Sequence, residues 1–182
     1  MLRASLFIII ISLLLSCAPT IKIAKQDYPS PFQFELVDTA TGTKDQLYIK
    51  AWEWMAKSFK SSKDVIQMQD KDAGKLIGRF VVSGASSIGW VYSIIAIDTK
   101  DGKYKITISD FDHEPEKSIT QYGVVTGKSY GDLTKDKYTY RGPNGSMYED
   151  KTYYAIKNDA MNKSRSLLLS LQIAMHQPAK DF

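Results

Sequence analysis

From Phe32 onward the chain switches between two hydrophobic periodicities, and each switch marks an element. Phe32-Gln33-Phe34-Glu35-Leu36 alternates apolar and polar residues, as a strand with one buried face does. Thr43-Lys44-Asp45-Gln46 has capping-box spacing, and Leu47, Ala51, Trp54, Met55 and Phe59 follow at helical intervals, which predicts a helix from Lys44 to Lys60. Alternation then resumes over Val65–Gln69, Lys75–Ser83, Gly89–Thr99 and Lys103–Asp112. Asp72-Ala73-Gly74 and Lys100-Asp101-Gly102 supply turn chemistry between them, implying two hairpins. In the last run Tyr104, Ile106 and Ile108 oppose Lys105, Thr107 and Ser109, the mark of a half-exposed antiparallel sheet. Tyr153, Ile156, Ala160, Leu167, Leu171 and Ala174 recur at helical spacing from Glu149 to Met175. Lys163 and Ser164 weaken that stripe midway, and Pro178 lies beyond its end. The order β-α-β-β-β-β-α predicts an α+β domain: one antiparallel sheet of about five strands with two helices on one face.

The N-terminus carries a different pattern. Arg3 precedes an apolar run, Leu6 to Leu15, broken only by Ser12, and Leu14-Leu15-Ser16-Cys17 closes it. A spanning helix needs about 20 apolar residues, so this shorter run reads as an export signal. Leu-Leu-Ser-Cys resembles the lipobox of bacterial lipoproteins. The resemblance implies a signal peptide over residues 1–16 and a lipidated, palmitate-bearing Cys17. A tether over 17–31, marked by Pro19, Pro29 and Pro31, then leads to one domain over 32–176 and a tail over 177–182. Ala18 and the absence of nearby acids imply, by the same analogy, a cell-envelope protein on the outer membrane facing the periplasm.

Composition narrows the partners. An apolar fraction of 43% suits a folded domain, and the net charge of +4 falls to +3 without Arg3. The lysines are dispersed and no polybasic block occurs, which argues against a nucleic-acid partner. Cys17 is the sole cysteine, so no intrachain disulfide forms, and its lipidation leaves no catalytic thiol.

A further resemblance rests on Lys44-Asp45-Gln46-Leu47-Tyr48, Trp54, Phe59-Lys60-Ser61-Ser62, Val65-Ile66 and Asp70-Lys71-Asp72-Ala73-Gly74-Lys75 through Gly78. This string resembles the start of an exported bacterial domain of unknown function, common in Bacteroidetes, whose fold is similar to the TATA-box-binding protein. The resemblance covers Phe32 to Phe111. It implies a fold and brings no activity; from His113 onward only the pattern speaks.

Candidate chemistry is sparse. Asp110, Asp112, Glu114 and Glu116 alternate around His113, and a continued strand would line the carboxylates on one face as oxygen ligands for a hard cation. Pro115 and the lack of metal-loop glycines favour a solvated strand exit instead. His176 is the only other histidine, so any zinc site or catalytic triad would hang on His113. Gly84-Ala85-Ser86-Ser87-Ile88-Gly89 lacks the lysine and following helix of a phosphate loop and reads as a strand connection. Trp54 lies on the apolar helix face, whereas Trp52 is about 160° around the helix and is a contact candidate. Residues 114–148 hold Tyr122, Tyr130, Tyr138 and Tyr140, and read equally as a recognition loop or as an extra hairpin built on Lys137–Arg141 and Gly142-Pro143-Asn144-Gly145.

The sequence therefore points to a lipid-anchored, non-catalytic binding module without a cofactor, recognising a protein or envelope component through Trp52, Lys105, Thr107 or the tyrosines. The alternatives are an envelope hydrolase or divalent-metal enzyme centred on His113, and a small-ligand carrier with an apolar cavity between sheet and helices.

Overall fold

The computed structural model describes residues 28–59, 62–85 and 88–178. The signal segment, Cys17, Ser86, Ser87 and the last four residues lie outside that range.

Strand β1 (Phe34–Thr39) leads into helix α1 (Lys44–Ser58), a short helical turn α2 (Ser62–Val65), and strands β2 (Ile66–Asp70), β3 (Lys75–Ala85), β4 (Gly89–Lys100) and β5 (Lys103–Glu114). The capping box forms as the spacing predicts. Gln46 N–H donates to the Thr43 hydroxyl, and the Gln46 side chain accepts from Thr43 N–H. The strands assemble antiparallel in the order β1-β5-β4-β3-β2. Short strand β8 (Gly131–Asp132) extends the sheet beside β5, past the end of β1.

One face of this sheet is covered. Leu76, Phe80, Val82, Val91, Ile95, Ile97, Ile106 and Ile108 are buried beneath α1 and the long helix α3 (Lys151–His176). The helices supply Leu47, Ala51, Trp54, Met55, Ile156, Ala160 and Leu171. Each large aliphatic side chain so buried stabilises the fold by roughly 1.5–3 kcal/mol. The expected α+β architecture with two helices on one face of an antiparallel sheet is the one found.

Four details depart from the sequence reading. The domain starts before Phe32, because the Tyr28 hydroxyl donates to Asn158 at 2.7 Å and its ring meets Phe32 edge-on at 5.9 Å. Residues within the expected tether thus belong to the packed body. Strand β5 continues past Asp112 to Glu114, with Asp110 as an extra residue at φ 56° that bulges the strand. Ser164 does not break the buried stripe of α3, since its hydroxyl donates to the Ala160 carbonyl at 2.8 Å while fully buried. Lastly, residues 114–148 form two hairpins rather than one: β6 (Lys117–Thr120) with β7 (Gly123–Thr126), and β9 (Thr139–Arg141) with β10 (Met147–Glu149).

Side chains lock the helices to the sheet. Asp38 Oδ2 on β1 accepts from Gln172 Nε2 at 2.8 Å and lies 3.0 Å from His176 Nε2, while Asp38 Oδ1 accepts from Thr39 N–H. Lys50 donates to the carbonyls of Met175 and Gln177, satisfying orphan acceptors at the α3 C-terminus.

Two outcomes follow from this packing. Gly89 has φ 94°, and a Cβ there would meet the Glu114 carbonyl oxygen at 2.2 Å, whereas Gly102, at φ 73°, has open space around it. Gly102→Ala should lose about 1–2 kcal/mol, the left-handed penalty alone, and Gly89→Ala clearly more, in urea unfolding. The His176 and Gln172 hydrogen bonds hold the Asp38 pKa down to about 2. Because the folded value is the lower one, the stability Asp38 contributes is full above its unfolded value and drains away between about pH 4 and pH 2. Acid titration of unfolding should show Asp38→Asn losing that portion of the pH dependence.

Candidate interaction surface

Strand alternation that buries one face leaves its complement uncovered. Along β4 the outward residues are Trp90, Tyr92, Ile94, Ala96 and Asp98, and along β3 they are Lys75, Ile77, Arg79 and Val81. Register pairs Val81 with Tyr92, Arg79 with Ile94 and Ile77 with Ala96, so an apolar band crosses the middle of the open face. Met68 joins it opposite Ile77. Val81 is 44% exposed and Trp90 39% exposed, and their continuity across adjacent strands, rather than either residue singly, is what marks an interaction surface.

Charged residues frame the band in pairs. At one end a row runs from Glu35 through Lys105 and Asp98 to Lys75, with Glu35–Lys105 at 2.8 Å and Lys75–Asp98 at 3.6 Å. At the other end Arg79 bonds Glu114 at 3.2 Å and lies over the Tyr92 ring at 4.3 Å. The outward bases Lys75, Arg79, Lys100, Lys103 and Lys105 are matched by Glu35, Asp70, Asp98, Asp112 and Glu114. The Glu35 carboxylate, by hydrogen bond and then by charge, raises the Lys105 pKa. Thr107 faces outward between Ala96 and Glu35, so Lys105 and Thr107 both belong to this surface. Trp52 does not. It flanks β2 from the helical side, donating from its indole to Gln69 at 3.2 Å.

His113 is not an exposed centre. It is 1% exposed, its Nε2 donates to the Ile88 carbonyl at 2.7 Å, and its Nδ1 accepts from Tyr130 N–H at 3.3 Å. Both nitrogens are used, and alternation puts Asp112 and Glu114 on the opposite face of the strand, so the expected constellation is not brought together. Asp110 sits apart in the bulge, accepting from the Ser109 hydroxyl. Among the described residues no group of three or more His, Cys, Asp or Glu could hold a metal ion.

The tyrosines divide by environment. Tyr130 is 6% exposed, and Tyr138 packs between Tyr130 and Tyr153 at ring separations of 5.0 and 5.3 Å. These two belong to an aromatic cluster at the edge of the main core, between the segment after β5 and helix α3. The Lys128 ammonium caps this cluster, lying 4.9–5.3 Å from the ring centres of Tyr130, Tyr138 and Tyr140 and paired with Asp150. Asp150 is also the N-cap of α3, accepting from Thr152 and Tyr153 N–H. Burial works to raise its carboxyl, but Lys128 and those amides outweigh it and hold the pKa below the usual range. Tyr140 is half-exposed, and Tyr122 stands 90% exposed at the tip of β6–β7.

Sequence reading missed a buried base. Lys157 is 1% exposed, with its ammonium 4.6 Å from the centre of Tyr28, 4.5 Å from that of Phe32, and donating to the Lys135 carbonyl at 2.8 Å. Desolvation pushes its pKa below the usual lysine value, opposed by Asp136 and Asp132. The signal was present: Lys157 stands four residues from both Tyr153 and Met161, within the apolar stripe of α3. An open groove of about 410 Å³ lies between the β3–β4 end of the sheet and the start of α3, lined by Gly84, Ala85, Ile88, Thr152 and Ile156. The grooves are at the surface, including one of about 950 Å³ between α1 and the end of α3, lined by Ile49, Lys50, Glu53 and Met175. No described helix is long and apolar enough to cross a membrane.

Residues 34–114 match the model of a family described as a domain of unknown function (DUF4468) with TBP-like fold. Among solved structures, a DUF4468 family protein from Bacteroides ovatus is similar at 14% identity and TM-score 0.50, covering 88% of this chain and 95% of its own. A TBP-like protein from Parabacteroides distasonis is similar at 12% identity and TM-score 0.56, covering 83% of this chain and 96% of its own. At these identities the likeness establishes the fold. No curated protein matches the chain.

The buried lysine generates a test. Because the folded pKa of Lys157 is the lower one, its burial opposes folding at neutral pH and stops doing so as pH rises toward the unfolded value. Lys157→Met should leave stability unchanged or raise it by about 1–2 kcal/mol at pH 7. Denaturant melts carried from pH 7 up toward the ordinary lysine value of 10.5 should show the wild type closing that gap.

Proposed function

Taking the chain as one that carries a DUF4468 domain with a TBP-like fold over residues 34–114, we propose that it is a non-catalytic, lipid-anchored envelope module whose open sheet face binds another protein. Cys17 is the anchor, and the location is the outer membrane on its periplasmic side. The observation that carries the binding role is the uncovered band of Ile77, Val81, Trp90 and Tyr92 with its frame of paired charges. A nucleic-acid surface needs an excess of cations to displace counterions from phosphates. Here the five outward bases are equalled in number by five acids, and Lys75, Arg79 and Lys105 sit within salt-bridge distance of Asp98, Glu114 and Glu35. Such a face suits a partner with its own apolar centre and mixed polar rim. Arg79, Trp90 and Tyr92 lie together at one end, and these are the residue types that dominate binding energy at protein interfaces.

A photo-reactive amino acid at Val81 should capture a discrete envelope protein in living cells, whereas the same group at Glu53, on the outer side of α1, should not. Trp90→Ala should lower the captured amount by about tenfold, the effect of removing one central interface aromatic. Equal labelling at both positions, or none at Val81, would overturn the assignment.

A further inference from the structure

Hairpin β6–β7 exposes apolar side chains on both of its faces. Ile119 is 88% exposed, Tyr122 90%, Val124 66% and Val125 54%. Register places Ile119 beside Val124 on one side and Val125 beside Ser118 on the other. The tip is closed by its own hydrogen bonds: the Thr120 hydroxyl donates to the Gly123 carbonyl at 3.0 Å and accepts from Tyr122 N–H at 3.2 Å. Gly127 N–H to the Glu116 carbonyl closes the base at 2.9 Å. The finger is therefore a formed element whose apolar groups point in all directions around its end. A protein partner covers one side of such a projection, but a lipid interface surrounds it.

Charge and position agree with a lipid surface. From Lys117 to Gly127 the hairpin carries one lysine, Lys117, and no acid, so no carboxylate opposes its approach to a lipid surface. Tyrosine, apolar in its ring and polar at its tip, is a residue type enriched at membrane–water boundaries. The hairpin leaves the sheet just after Glu114, three residues beyond Phe111, and Phe111 touches Phe32, which touches Tyr28. The described N-terminal end thus lies beside the hairpin's root. Tyr28 stands eleven positions after Cys17, a reach of up to about 36–40 Å when extended.

We propose that β6–β7 is a second membrane contact, its tip seated in the headgroup region of an anionic bilayer beside the lipid on Cys17. This rests on the reading of Cys17 as the anchor. A single lipid anchor leaves the domain free to tumble, but an anchor and an inserted finger together fix which way the open sheet face points.

Cys17 is the only natural cysteine and its thiol is consumed by the lipid, so in the full lipoprotein Tyr122→Cys offers one thiol for an environment-sensitive dye. The labelled protein is reconstituted into vesicles of phosphatidylethanolamine and phosphatidylglycerol, with Glu53→Cys as the reference position. The dye at 122 should shift to the blue and be quenched by lipid-borne quencher, the dye at 53 should not, and adding Ile119→Asp with Val124→Asp should return the dye at 122 to water. A protein that floats with the vesicles while both dyes stay aqueous overturns the finger and leaves the anchor standing. Shielding of the dye only in native envelopes, not on pure lipid, assigns the finger to a protein and overturns the proposal equally. A chain that fails to float and has no acyl mass on Cys17 overturns the anchor reading itself, and this inference with it.

Discussion

Coverage of the sheet on one side only is the constraint from which the other features descend. Side chains on a strand alternate strictly, so the apolar set that meets α1 and α3 fixes, residue by residue, what is left on the reverse. Gly78 shows how tight the covered side is, since a Cβ there would meet the Met55 side chain at 2.8 Å. Among the described residues the reverse side has no second layer. Its apolar residues are supported by cross-strand neighbours and by ion pairs that span adjacent strands, and each exposed pair of that kind contributes at most about 1 kcal/mol. The face is thus tolerated rather than strongly stabilised in the isolated domain, and it is available for a partner.

The segment between β5 and α3 is organised by a different principle. It enters the main core through Tyr130 and Leu133, and it gains further order from aromatic stacking around a captive ammonium. Lys128 meets three tyrosine rings and the Asp150 carboxylate, and Asp150 in turn starts α3. Helix start, tyrosine cluster and hairpin segment are consequently joined at one point. Lys157, about two turns further along α3, repeats the device on the inner side with Tyr28 and Phe32. Two cations over aromatic rings hold the segments flanking the β1–β5 region onto the same helix.

The single histidine within the sheet illustrates why a motif in sequence need not be a site. His113 stands among carboxylates along the chain, but the pleat sends it inward and them outward. Inside, its two ring nitrogens bridge the β3–β4 connection and the backbone at Tyr130, a structural use of a group that titrates readily when exposed.

The elements themselves were legible in the sequence because they rest on local chemistry. Alternation gave β1 and β3–β5, the capping box at Thr43 gave the start of α1, and the turn glycines gave the hairpins. The outward placement of Lys105 and Thr107 and the inward placement of Trp54 follow from the same periodicities. What tertiary structure decided were the environments set by residues distant in the chain. Tyr130 is buried and Tyr138 partly buried while Tyr122 and Tyr140 are exposed, although all four sit in similar polar sequence, because only the first two lie where α3 passes. Lys157 is enclosed because Tyr28, 129 positions earlier by residue number, closes over it. The pattern of hydrophobic residues determines which face of each element seeks cover, since that depends on its own periodicity. Which polar residues are caught under that cover depends on how the elements meet, and no local pattern encodes it.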